Sequence, residues 1–370
     1  MAVEAAPRPG TYFLKRRDDI MQGTILVGTA GQGILRSADD GASWHRLGLK
    51  EAIEFDGVVR CLAVDPSDPA RVFAGADAGI CLSTDGGAHF RRMESPANGQ
   101  TVWALALDPS NPALVYAGTG APSRARMFRS ADGGQTWETL PVELPEFCAG
   151  VNRPRILSIA VDPANGEVWF GVEEGGAWRS RDRGDSWQRI DAAANGIVSG
   201  DIHAISVLPA RGTAPRTHLI CTVNSVYTNV DSGEGVWQGA SSADRFDGMY
   251  YTRTIQPLPG GEDTLLLAVG DGTPGTRTRI YRSEDRGRTW TCAILHSPPN
   301  STFWTFGAHT ADPSLVFAGT KYGHLFRSMD GGRSWFKEWR DFSEITAVAW
   351  TPFVAPVKAH PQSRLQSPST

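Results

Sequence analysis

Several features that mark common function classes are missing from this chain. Nothing in it approaches the run of about 18 apolar residues that a bilayer-spanning helix needs. The opening MAVEAAPRPG has no apolar core, so it does not read as a secretory signal. Cysteine is sparse: Cys61, Cys81, Cys148, Cys221 and Cys292 lie far apart with no CxxC pair. That scatter argues against a disulfide framework or a zinc site and for free thiols in a reducing compartment. Neither charge sign dominates, with 36 Lys and Arg against 40 Asp and Glu for a net −4. Such a balance supplies neither the basic footprint of a nucleic-acid surface nor a polybasic membrane contact. No Walker loop, GxSxG elbow or HExxH helix is present. The expectation is a soluble cytoplasmic protein with no cofactor and no nucleic-acid or membrane partner.

Glycine (41) and proline (24) are plentiful instead, as short strands joined by many turns require. One pattern recurs: Ser-x-Asp-x-Gly-x-Ser/Thr-Trp. It stands at Ser37–Trp44, Ser130–Trp137, Ser180–Trp187, Ser283–Trp290 and Ser328–Trp335. A variant ends in His89 and Phe90, and a degenerate copy holds Asp231, Gly233 and Trp237 with one extra residue. The aspartates at 39, 85, 132, 182, 231, 285 and 330 are separated by 46, 47, 50, 49, 54 and 45 residues. A step of about 40–50 residues is the period of a four-stranded propeller blade. Every part of the box has a mechanical role. Asp accepts backbone N–H bonds in a tight turn, Gly supplies positive φ, and Trp packs on the blade.

Seven inner strands are predicted, ending at Pro66, Pro109, Pro163, Pro209, Pro259, Pro313 and Pro352. The N-terminus supplies an outer trio with no inner strand, and residues 344–350 supply an inner strand with no trio. Together they complete one blade, so the fold class is all-β, a single seven-bladed β-propeller closed by a three-plus-one clasp. Residues 1–19 are expected to be an extension, 20–352 the ring, and 353–370, rich in Pro and Ser, a disordered tail.

These repeats resemble the Asp-box (bacterial neuraminidase repeat) propellers. The segments DPSNPALVYAGT and RSADGGQTW are similar to modules of xyloglucan-degrading glycosidases and to the single-ring photosystem II assembly factor. Sialidases and the sortilin ectodomain share the box. The resemblance implies the fold and spans enzymes, receptors and chaperones, so function must be argued from the site. Xyloglucanases pair two rings around a cleft, whereas this chain has one. Sialidases carry an Arg-Ile-Pro element, and here Arg153, Pro154, Arg155 and Ile156 run in another order.

The topology puts the boxes and Asp-Pro turns on one face. The other face receives long loops at 140–154, 191–201, 239–252 and 292–304, the usual place for binding. Five residues before the Asp-Pro position stand Arg60, Trp103, Leu157, His203, Arg253, Gly307 and Thr346, with Glu54, Asp56, Arg155, Asp201, Tyr251, Trp304 and Glu344 just upstream. Asp77, Glu173 and Lys321 lie in facing loops. One reading is a wet channel of paired charges without function. The other has Arg60, Arg155 and Arg253 clamping a small anionic ligand, with Trp103, Trp304 and Tyr251 beside it. His203, Asp201 and Glu344 are then the acid/base candidates for a cofactor-independent hydrolase or lyase. A divalent metal held by His203, His309, His324 and Glu173 is an alternative. So are a protein-binding scaffold and a glycoside hydrolase.

Overall fold

Apolar segments of alternating or continuous pattern, punctuated by Gly, Pro and Asp, fold into seven sheets, six of four strands and one of five. The computed structural model describes residues 23–48, 57–260 and 263–353. The N-terminal extension, the tail beyond Phe353, and Glu54 and Asp56 lie outside the described residues. In the described residues the single helix is Ser242–Arg245.

Burial explains the order of strands within a blade. The inner strands are Val59–Val64, Val102–Asp108, Ile156–Val161, Ile202–Leu208, Tyr251–Pro257, Phe303–Ala308 and Ile345–Pro352. Second strands such as Val72–Ala76, Val168–Val172 and Leu265–Gly270 are buried along their whole length, because neighbouring blades cover both their faces. Outermost strands are two exposed residues in five blades, as at Arg91–Arg92 and Gln188–Arg189. Short polar edges of this kind give no template for edge pairing. The sheet of Phe303–Ala308 gains a fifth strand, Ile294–Leu295, which pairs in parallel with Ser334–Asp341.

The three-plus-one clasp is present. Ile345–Pro352 pairs antiparallel with Gly23–Thr29, placing Gly23 opposite Pro352 and Val27 opposite Val348. Ile345 and Trp350 are fully buried at this seam.

The boxes build their turns as their chemistry dictates. Gly134 N donates to Ser130 Oγ at 2.7 Å, Thr136 N to Asp132 Oδ1 at 2.8 Å, and Thr136 Oγ1 to Asp132 Oδ2 at 2.6 Å. His89 replaces the usual Ser/Thr and keeps the backbone bond to Asp85 at 2.9 Å. In the degenerate box Asn229 takes the serine position and donates to Glu234 O at 2.8 Å. Box glycines also abut the preceding blade: a Cβ on Gly332, where φ is +87°, would lie 2.5 Å from Leu266. The box aromatics divide, Phe90, Trp237 and Trp335 being buried and the other four half-buried.

An arginine just before the box serine joins neighbouring blades. Arg129 donates to Arg183 O at 2.8 Å, Arg282 to Gly331 O at 2.8 Å, and Arg327 to Asp40 O at 2.9 Å. Each acceptor is in the next box turn around the ring, and Arg327 closes the circle. The Asp-Pro aspartates are structural too: Asp65, Asp108 and Asp162 are fully buried and accept N–H bonds from Ser67, Ser110 and Ala164.

Candidate functional site

A β-bulge near the start of every inner strand builds the site. The register skips one residue in each: Arg60, Trp103, Leu157, His203, Arg253, Trp304 and Thr346. A bulge re-aims the unpaired side chain, and all seven of these line one axial cavity of about 1000 Å³. Six of the seven positions agree with the sequence count. In Phe303–Ala308 the bulged residue is Trp304, and Gly307 instead sits against the clasp strand, where a Cβ would lie 2.7 Å from Val348 O.

The bulge residues and their neighbours form two cation–aromatic groups. The Arg60 guanidinium lies 4.2 Å from the centre of the Trp103 ring and that of Arg155 lies 5.1 Å from it. Across the ring, Arg253 lies 3.8 Å and Lys321 4.4 Å from the Trp304 ring. Most of these cations are already matched. Arg60 pairs with Asp77 at 3.2 Å, Arg155 with Glu173 at 3.0 Å, and Lys321 with Glu344. Among the described residues the Arg253 side chain makes neither a contact ion pair nor a hydrogen bond. The three arginines therefore do not act as equals, because two of them face carboxylates of the protein itself.

Between the two groups lies an acid–imidazole cluster. His203, 5% exposed, has Nδ1 2.7 Å from Thr252 O, and its Nε2 is 3.5 Å from Asp201 Oδ1. The Tyr251 ring lies 5.3 Å away. Glu173 completes the cluster, with one ligand atom from each of Glu173, Asp201 and His203 within 4.8 Å of the others. Burial raises the Glu173 carboxyl above the ordinary range; Asp201 adds to this, and Arg155 and Arg253 oppose it. Burial likewise raises the Tyr251 phenol.

Glu344 is held by Lys321 rather than by the imidazole cluster. The four-residue metal grouping is not assembled: among the described residues only Glu173 joins His203, with Asp201. His309 accepts a bond from Ala311 N at 3.1 Å and packs on Trp350, and burial lowers its pKa. His324 lies 3.8 Å from Asp341. In the sequence Glu173 was one loop acid among several, joined to His203 only in the metal alternative; Asp201 and His203 of the next blade give it a place.

Fold and repeat define the class: the protein is a seven-bladed Asp-box β-propeller, and residues 280–292 match the BNR-Asp box repeat. Its particular likenesses include enzymes and an assembly factor. A xyloglucanase of Hypocrea jecorina (strain QM6a) is 29% identical over 255 residues, which are 59% of this chain and 29% of that enzyme. The photosystem II assembly lipoprotein Ycf48 of Synechococcus sp. (strain CC9902) is 23% identical over 77% of both chains. The chain thus spans under a third of the xyloglucanase. Among solved structures, an ancestral GH74 enzyme shares the fold with a TM-score of 0.51 at 16% identity, covering 88% of this chain and 55% of that one.

Proposed function

We propose that the ring binds a small carboxylate-bearing molecule at the mouth of the axial cavity, between Arg253 on Trp304 and the Glu173–Asp201–His203 cluster. One observation carries this reading: among the described residues of the mouth, Arg253 is the cation with no carboxylate in ion-pair contact, and it is stacked on an indole. A guanidinium so held keeps its planar donors for a carboxylate, and the indole offers a face to any ring attached to it. The protonatable cluster beside it supplies the groups for hydrolysis or elimination of the bound molecule. Thermal-shift and calorimetric screening with small carboxylates, phosphates, acidic sugars and aromatic acids tests the reading. A ligand is expected that raises the melting temperature of the wild type and not of Arg253→Ala. A full set without any shift contradicts it.

A second reading, a protein-binding scaffold, is favoured by exposed apolar side chains on loops of the same face. Phe147, Val198, Tyr250 and Tyr322 are each at least half exposed there. The similarity to an assembly lipoprotein agrees with it. Capture of a partner that Val198→Asp and Tyr322→Asp both abolish would favour this reading. A glycoside hydrolase reading has the xyloglucanase likeness behind it, but over 29% of that enzyme's length.

A further inference from the structure

We infer that Glu173, Asp201 and His203 together hold a divalent first-row metal ion, and that this ion is the second anchor of the carboxylate ligand. The inference rests on the mouth being the ligand site, as proposed above.

The argument starts from the imidazole. A carbonyl oxygen only accepts, so at 2.7 Å from Thr252 O the His203 Nδ1 carries the proton and donates it. In the neutral imidazole, a proton on Nδ1 leaves the lone pair on Nε2, turned toward Asp201 Oδ1. The gap of 3.5 Å exceeds that of an N–H···O bond, and Asp201 Oδ1 is buried with no hydrogen-bond partner. Glu173 Oε2 is also buried without a hydrogen bond, although Arg155 Nε lies 3.0 Å away as an ion pair. Three electron-rich atoms thus converge on one point, within 4.8 Å of one another. Buried acceptors left this way cost free energy unless a cation stands between them.

The spacing suits a metal. With bonds of about 2.1 Å, the edge of a tetrahedral site is about 3.4 Å, close to the 3.5 Å between His203 and Asp201. Glu173 offers the third ligand oxygen, within 4.8 Å of the other two ligand atoms. The surroundings resemble those of bound metals elsewhere. The ligating imidazole gives its other N–H to a backbone carbonyl, which fixes its tautomer. Arg155 steadies the carboxylate of Glu173. One imidazole with two carboxylates is a mixed set that suits Mn²⁺, Fe²⁺ or Zn²⁺ better than Ca²⁺ or Cu⁺. Three protein ligands leave coordination positions open toward the cavity. Arg253, on the inner strand next to that of His203, lines the same cavity. A ligand carboxylate placed there puts one oxygen on the metal and the other on the Arg253 guanidinium. In this arrangement His203 is a ligand rather than a free base, and metal-bound water is the nucleophile or base for any turnover.

The test is a Mn²⁺ titration of chelator-treated full-length protein, followed by electron paramagnetic resonance, with Zn²⁺ as competitor. One equivalent of Mn²⁺ per chain is expected to bind and to be displaced by Zn²⁺. Asp201→Asn and His203→Gln should each weaken binding tenfold or more, while circular dichroism and melting show both variants folded. Arg253→Ala should bind Mn²⁺ like the wild type and lose the carboxylate. Absence of Mn²⁺ and Zn²⁺ binding to the wild type at millimolar metal overturns the inference, as does binding that Asp201→Asn leaves unchanged. The two claims fail separately: a carboxylate that still raises the melting temperature in excess chelator removes the metal and keeps the ligand site, whereas stoichiometric Mn²⁺ binding without any carboxylate response does the reverse.

Discussion

Replacing Arg327 with methionine removes the latch that joins the last blade to the first box turn, and the structure sets the size of the loss. Arg327 is 2% exposed, and its guanidinium sits 2.7 Å from Glu338 Oε1, 2.6 Å from Asp40 Oδ1 and 2.9 Å from Asp40 O. Asp40 is a third exposed and can turn to water once the arginine is gone. Glu338 is 7% exposed, and its carboxyl is already raised by burial against the pull of Arg327. Taking one partner from a buried ion pair costs about 3–5 kcal/mol; protonation of Glu338 limits the loss to the lower end, about 3 kcal/mol. Arg129 is the control. It makes the same kind of reach to Arg183 O, but its acidic partners Glu138 and Asp185 are 57% and 66% exposed. Arg129→Met should therefore lose about 1 kcal/mol or less. Urea unfolding followed by tryptophan fluorescence at pH 7 compares the two. Equal losses, or a loss under about 1 kcal/mol for Arg327→Met, would refute the claim that burial makes this latch the costlier one to break.

Acid should unfold the ring through its boxes. Bonds from Thr136 hold Asp132 at about 2, and the Ser186 hydroxyl, against some burial, does the same for Asp182. Both lie below the unfolded value of about 3.9. Their stabilisation is therefore complete above about pH 4 and is lost as pH falls toward about 2. Melting scans from pH 6 to pH 2 should show that decline, with a shallower slope in Asp132→Asn; parallel slopes would contradict it. Asp65→Ala should cost more than a box variant, about 3–5 kcal/mol. It strands the Ser67 N–H and leaves Arg71, 2.5 Å from the fully buried carboxylate, without its partner. Denaturation showing Asp65→Ala milder than Asp132→Ala would reverse that ranking.

Much of the fold was legible because its signals are local. A box aspartate bonds a residue four positions on, so the turn and its period are written in one short segment. The clasp followed from counting strands at the two ends. The partners of the latch arginines were not legible, since Arg327 meets Asp40 across 287 residues and nothing near either names the other. The bulges were seen only through their consequences. Counting back from the Asp-Pro turn finds Arg60 and His203, but in Phe303–Ala308, where the segment before the turn is longer, the same count lands on Gly307 rather than Trp304. The cluster of Glu173 with Asp201 and His203 needs two blades side by side, and the neutralisation of Arg60 and Arg155 needs the inner strand of a blade set against the loop after its second strand. The sequence could nominate those charges but could not pair them.

The central claim divides the molecule in two: boxes hold the ring together, and the bulged mouth binds. The most direct measurement takes Arg253→Ala and Asp132→Ala side by side, recording melting temperature and calorimetric affinity for the carboxylate found by screening. Arg253→Ala should melt with the wild type and lose affinity. Asp132→Ala should lose stability, about 1–2 kcal/mol for an exposed turn whose donors water can reach, and bind as tightly as the wild type below its melting point. Retained affinity in Arg253→Ala, or unchanged melting in Asp132→Ala, would contradict that division.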